Sequence, residues 1–113
     1  MVIKDIEFDF DFNNVDDIEK FEKAYAEMQT ADKTGSTTSE VCKKQISAIK
    51  KFFEDTLGES AYQKLVEKPS NIKSNIDILY LFIDCYEQYA KEIADYSKEK
   101  EKQYSKYMPK NRR

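Results

Sequence analysis

The chain contains no histidine and no tryptophan, and only two glycines, two prolines and two cysteines among its 113 residues. Each scarcity closes something off. Without histidine the commonest general base is missing, and with it the Ser–His and Cys–His nucleophile pairs. The isolated Gly35 and Gly58 cannot build a glycine-rich phosphate loop. Cys42 and Cys85 have no Cys-x-x-Cys partner, so each reads as a small hydrophobe on a helix rather than a metal ligand or half of a disulfide. No segment approaches the roughly 20 apolar residues of a membrane span, and none near the N-terminus resembles a signal peptide. The expectation is a protein of the cytoplasm with reduced thiols, no membrane contact, no cofactor, no metal and no active site of its own. Carboxylates are plentiful, but Asp16, Asp17 and Glu19 sit where the acids of a helix start sit.

Apolar residues make up 40% of the chain and charged ones 36%, enough apolar material for one modest core. With so few helix breakers, this composition predicts a mainly α fold. The expected architecture is a bundle of about four helices, a short N-terminal β-strand or hairpin, and a long C-terminal helix. Residues 1–97 would form a single α-rich domain and 98–113 a charged extension. The net charge of −3 hides an asymmetry. Residues 1–31 carry three lysines against nine acids, whereas 98–113 carry seven basic residues against Glu99 and Glu101.

Period-2 alternation is sharpest at Ile6–Phe12. There Ile6, Phe8, Phe10 and Phe12 fall on one face of a strand and Glu7, Asp9 and Asp11 on the other. Met1–Lys4 can supply a first short strand, with a turn at Lys4 and Asp5 that lacks the usual Gly or Asn. A lone hairpin is unstable in water, so its aromatic face must lie on the chain's own helices or meet another molecule. A first helix follows Asn13 or Asn14, with the stripe Ile18, Phe21, Tyr25 and Met28. The Thr-Gly-Ser-Thr-Thr segment predicts an exposed, mobile loop, after which Thr38 or Ser39 caps a second helix ending at Gly58. A short helix over about 60–67 precedes the break at Pro69. The last helix starts at Ser70 or Asn71. Ile72, Ile76, Leu79, Ile83, Tyr86, Ala90, Ile93 and Ser97 recur along it at alternating spacings of four and three, broadened by Phe82 and Tyr89. Such a stripe can be satisfied within one chain or between two, which leaves a homo-oligomer open.

Three surfaces invite a partner. The basic end interleaves lysines with Tyr96, Tyr104 and Tyr107, as single-strand binders do, but Glu99 and Glu101 interrupt it and the pI of 5.1 argues against nucleic acid. Asp5, Glu7, Asp9 and Asp11 would stand roughly 6.5 to 7 Å apart on a continuous strand, near the phosphate repeat of a nucleic-acid strand, which suggests an acidic mimic. The exposed β edge and the tyrosines favour a protein partner. Phe8 and Phe10, with Tyr86 and Tyr89 on the long helix, are the expected contact residues.

The motifs Phe8-Asp9-Phe10-Asp11-Phe12, Glu19-Lys20-Phe21-Glu22-Lys23-Ala24, Phe52-Phe53-Glu54-Asp55 with Leu57-Gly58, and Lys106-Tyr107-Met108-Pro109-Lys110-Asn111-Arg112-Arg113 occur in that order. Together they resemble small proteins encoded among the tail genes of phages and prophages of low-GC Gram-positive bacteria, several regarded as tail assembly chaperone-like. The resemblance implies a non-enzymatic helical accessory that binds a structural protein, the tape-measure protein, during tail building. The alternative is a phage inhibitor of a bacterial defence system or host enzyme, of anti-CRISPR or anti-restriction type, acting by steric block or through the acidic row. The basic ending is shorter than the Arg-rich endings of such proteins, which weakens any function placed there.

Overall fold

In the computed structural model the described residues are 1–105, and their order is β1 (Val2–Ile3), β2 (Ile6–Glu7), α1 (Val15–Thr30), α2 (Thr38–Leu57), α3 (Ala61–Leu65) and α4 (Ile72–Ser105). The expected mainly α bundle with an N-terminal hairpin and a long last helix is what the chain adopts. Residues 106–113, half of the expected charged extension, lie outside the described residues. The chain divides into two compact units, Met1–Phe82 and Ile83–Arg113, with the division inside α4. Phe82 is the last wholly buried residue of that helix, and the division follows it.

The hairpin is smaller than the alternation suggests. Strands β1 and β2 pair antiparallel with Val2 opposite Glu7 and Ile3 opposite Ile6. Lys4 and Asp5 form the two-residue turn at φ 52° and 65°, the left-handed conformation that a primed hairpin turn demands. The strand ends at Glu7, Met1 and Phe8 exchange one further pair of hydrogen bonds (Phe8 amide to Met1 carbonyl at 2.7 Å, Met1 amino group to Phe8 carbonyl at 3.1 Å), and Asp9–Phe12 is irregular. The alternation survives nonetheless, with Phe8, Phe10 and Phe12 buried and Asp9 and Asp11 exposed. Aromatic packing on the helices replaces a partner strand in holding this segment.

Local chemistry sets the helix ends. Asn14 Oδ1 accepts from the Asp16 amide at 3.0 Å and opens α1. Thr37, one residue earlier than expected, caps α2 by accepting from the Glu40 amide at 3.2 Å. Glu40 reaches back to accept from the Ser36 amide at 3.0 Å, a variant of the capping box. Gly35 is held to glycine by this turn, since an added Cβ would stand 2.7 Å from Glu40 Cβ. The α1–α2 loop is exposed as expected, but its turns are tied. Asp32 accepts from the Thr34 amide and hydroxyl, and Lys33 donates to the Gln29 and Ala31 carbonyls at the end of α1.

Unit 1 is built around phenylalanine rings. Phe82 is fully buried, with ring centroids of Phe10, Phe12, Phe21, Phe52 and Phe53 between 5.6 and 5.8 Å from its own. Most of these pairs are edge-to-face, the arrangement that the ring quadrupole favours. The N-terminal segment, α1, α2 and α4 thus meet at one side chain.

A polar knot secures the other side. Asn75, 0% exposed, accepts from the Tyr62 hydroxyl at 2.5 Å and donates to the Asn71 and Pro69 carbonyls at 2.8 and 3.0 Å. It joins α3, the Pro69 break and the first turn of α4. Asn71 caps that turn by accepting from the Ser74 amide at 2.9 Å. Burial raises the Tyr62 phenol above its ordinary pKa, and the bond to Asn75 pulls it partly back. The buried face of α4 is therefore Asn75, Ile78, Leu79 and Phe82. The expected stripe was centred one position away, and its Ile76 is exposed.

Candidate protein-docking surface

In unit 2, helix α4 runs from Ile83 to Ser105. Ile83, Cys85, Tyr86 and Tyr89 are half-buried, and every residue from Ala90 to Ser105 is exposed. Ala, Lys, Glu and Gln are strong helix formers, which explains why this stretch is helical. Local contacts add little. Gln88 donates to Glu92 at 3.2 Å, and the Lys100 ammonium lies 5.5 Å from the centre of the Tyr96 ring. Such exposed contacts contribute about 1 kcal/mol or less each.

The helix is nonetheless amphipathic. Ile83, Tyr86, Ala90, Ile93 and Ser97 continue the four-three spacing, and Tyr89 and Tyr96 widen it to roughly three positions in seven. Ile93, Tyr96 and Tyr104 are 41%, 59% and 65% exposed. A stripe that wide is what a helix presents to a bundle or to a partner helix. Tyr86 and Tyr89, the expected contact residues on this helix, lie on that face. The Cys85 thiol beside it is pushed up above its ordinary pKa by burial and by Asp84.

Phe8 and Phe10 are placed elsewhere. They are 7% and 2% exposed, and Phe10 packs against the rings of Phe12 and Phe82. Their aromatic face is spent on the chain's own core, so they support the fold rather than offer a surface. Asp5, Glu7, Asp9 and Asp11 are all exposed, as a mimic would require. The continuous strand that would space them evenly is absent, because β2 ends at Glu7. Asp11 is engaged locally, its carboxylate accepting from the Asn13 amide and its amide donating to Asp17.

Two concavities outside the sequence expectations lie in unit 1. Met28, Gln45, Ile49, Ile76, Leu79 and Tyr80 line a groove of about 270 Å³ between α1, α2 and the start of α4. Lys4, Val66, Lys68, Asp77 and Leu81 line a more polar hollow of about 380 Å³. The signal for the groove was present in Ile76 and Tyr80, four apart on α4, but a stripe anchored on Ile76 turned that face inward. Among the described residues no three acids or cysteines come together as a metal-holding group, and no helix is long and apolar enough to cross a membrane.

These features define a class, a small helical bundle with an N-terminal hairpin whose last helix carries an exposed aromatic stripe. The chain belongs to DUF6673, a family of unknown function that matches residues 4–113. No curated protein and no solved structure matches it.

Proposed function

We propose that the protein is a non-enzymatic, protein-binding accessory of the phage tail assembly chaperone type. It acts in the cytoplasm of the bacterial host and shields an amphipathic helical segment of a tail structural protein such as the tape-measure protein. The observation that carries this reading is the apolar stripe from Ile83 to Tyr96 on α4, with Ile93 and Tyr96 exposed. Covering apolar surface contributes about 25 cal/mol per Å², so a helix laid along these residues is held mainly by its own apolar face. The phage setting comes from the resemblance of the Phe-Asp-Phe, Phe-Phe-Glu-Asp and terminal Lys-Tyr-Met-Pro motifs.

A tagged chain recovered from phage-infected cells, with bound proteins identified by mass spectrometry, tests the reading. Recovery of a tail protein that is lost with Ile93→Asp and Tyr96→Asp supports it. Capture that survives both substitutions removes the stripe from the role. A second reading has one observation in its favour, the exposure of all of Asp5, Glu7, Asp9 and Asp11. Under it the protein inhibits a host defence enzyme through that row. Reversing those four charges then abolishes the effect, while the Ile93 and Tyr96 substitutions leave it intact.

A further inference from the structure

The charge pattern of α4 points to one particular cover for its stripe in the protein alone. From Ile83 to Asp95 the helix carries Asp84, Glu87, Glu92 and Asp95 against Lys91. From Tyr96 to Ser105 it carries Lys98, Lys100 and Lys102 against Glu99 and Glu101. The first end carries a net −3 and the second a net +1, so two copies laid antiparallel set ends of opposite net charge together, whereas two parallel copies set ends of like net charge together. Side-chain size follows the same symmetry. When Ala90 meets Ile93 of a second copy, Tyr86 meets Ser97 and Ile83 meets Lys100, whose ammonium falls beside Asp84 and Glu87. In the first two of these pairs a bulky residue faces a small one, the alternation that lets two helices approach closely.

We propose that α4 pairs antiparallel with α4 of a second copy over Ile83–Lys100, about 27 Å of helix at 1.5 Å per residue. The seam is short, so the dimer forms at micromolar concentrations, reverses on dilution and weakens as salt screens its charges. On the function proposed above, the tail protein competes with the second copy for this stripe, and the dimer is the resting form.

Sedimentation velocity on the full chain across a concentration series tests the pairing. Asp84, Glu87, Lys98 and Lys100 are exposed, so their substitution leaves the fold intact, which circular dichroism verifies. The D84K/E87K and K98E/K100E variants each weaken dimerisation by about tenfold or more. Combining all four reversals restores it, because each acidic end again meets a basic one. A chain that stays monomeric at every concentration overturns the proposal. So does a dimer indifferent to the single-end reversals, or a fourfold variant that stays monomeric. A monomer that still captures a tail protein sinks the pairing alone, and a dimer that captures none sinks the functional reading alone.

Discussion

Asn75 is a polar residue at a position of full burial, and its hydrogen bonds are what permit it to stay there. Tyr62→Phe removes the hydroxyl that donates to Asn75 Oδ1 and leaves that oxygen buried without its donor. The expected cost is about 1–3 kcal/mol, read as a lowered urea midpoint at unchanged slope. A double-mutant cycle with Asn75→Leu should show strong coupling, because the penalty belongs to the pair. A surface carboxylate behaves differently. Asp32 is held down to about 2 from 3.8, first by the Thr34 hydroxyl and amide and then by Lys44. Its folded value lies below its unfolded one, so its contribution is present above 3.8 and is lost as pH falls through about 2. In urea titrations, Asp32→Asn should therefore lower the midpoint at neutral pH, and the gap from the parent should narrow as pH approaches 2. Because Asp32 is exposed, salt should shrink the same gap.

At the scale of the element, the hairpin turn holds stored strain. Lys4 and Asp5 both occupy left-handed backbone without the Gly or Asn that this turn prefers. Asp5→Gly should stabilise the protein by about 0.5–1 kcal/mol, while Asp5→Val, β-branched at positive φ, should destabilise it; thermal melts of the pair should bracket the parent. Elements such as α1 and α2 are legible because their signals are local. Asn14 and Gly58 announce helix ends by backbone geometry that short sequences dictate, whereas the cap of α2 falls on Thr37, one residue before the expected Thr38 or Ser39. The strand over Ile6–Phe12 was legible only as a pattern of burial, because alternation reports which side chains face inward and not whether a second strand is there to pair with. The buried face of α4 differs from the expected one for a related reason. Ile76 and Asn75 are neighbours, and polarity alone assigns the core to the wrong one. Reading the stripe from Phe82 backwards through Leu79, Ile78 and Asn75 recovers it. The exposed stripe beyond Ile83 was visible as periodicity, but periodicity is the same whether a helix is covered by its own chain or by another.

For the whole molecule, the phenylalanine cluster decides stability. Phe82→Ala leaves a void bordered by Phe10, Phe12, Phe21, Phe52 and Phe53. The expected loss is about 3–5 kcal/mol, a large share of what a domain of this size possesses. Limited proteolysis should then cut within residues 8–14 first, because Phe10 and Phe12 both pack on Phe82 and the segment has no β ladder over Asp9–Phe12 to hold it otherwise. Resistance of that segment in the variant would show that the hairpin, not the ring cluster, fastens it. The position of Phe82 along the chain has a consequence for synthesis. Phe10, Phe12, Phe21, Phe52 and Phe53 all leave the ribosome before the ring they converge on, so the nascent bundle has its walls before its keystone. Until residue 82 emerges, those five rings have no shared centre to close around, and the growing chain passes through an interval of exposed aromatic surface that chaperones of the translating cell are suited to recognise.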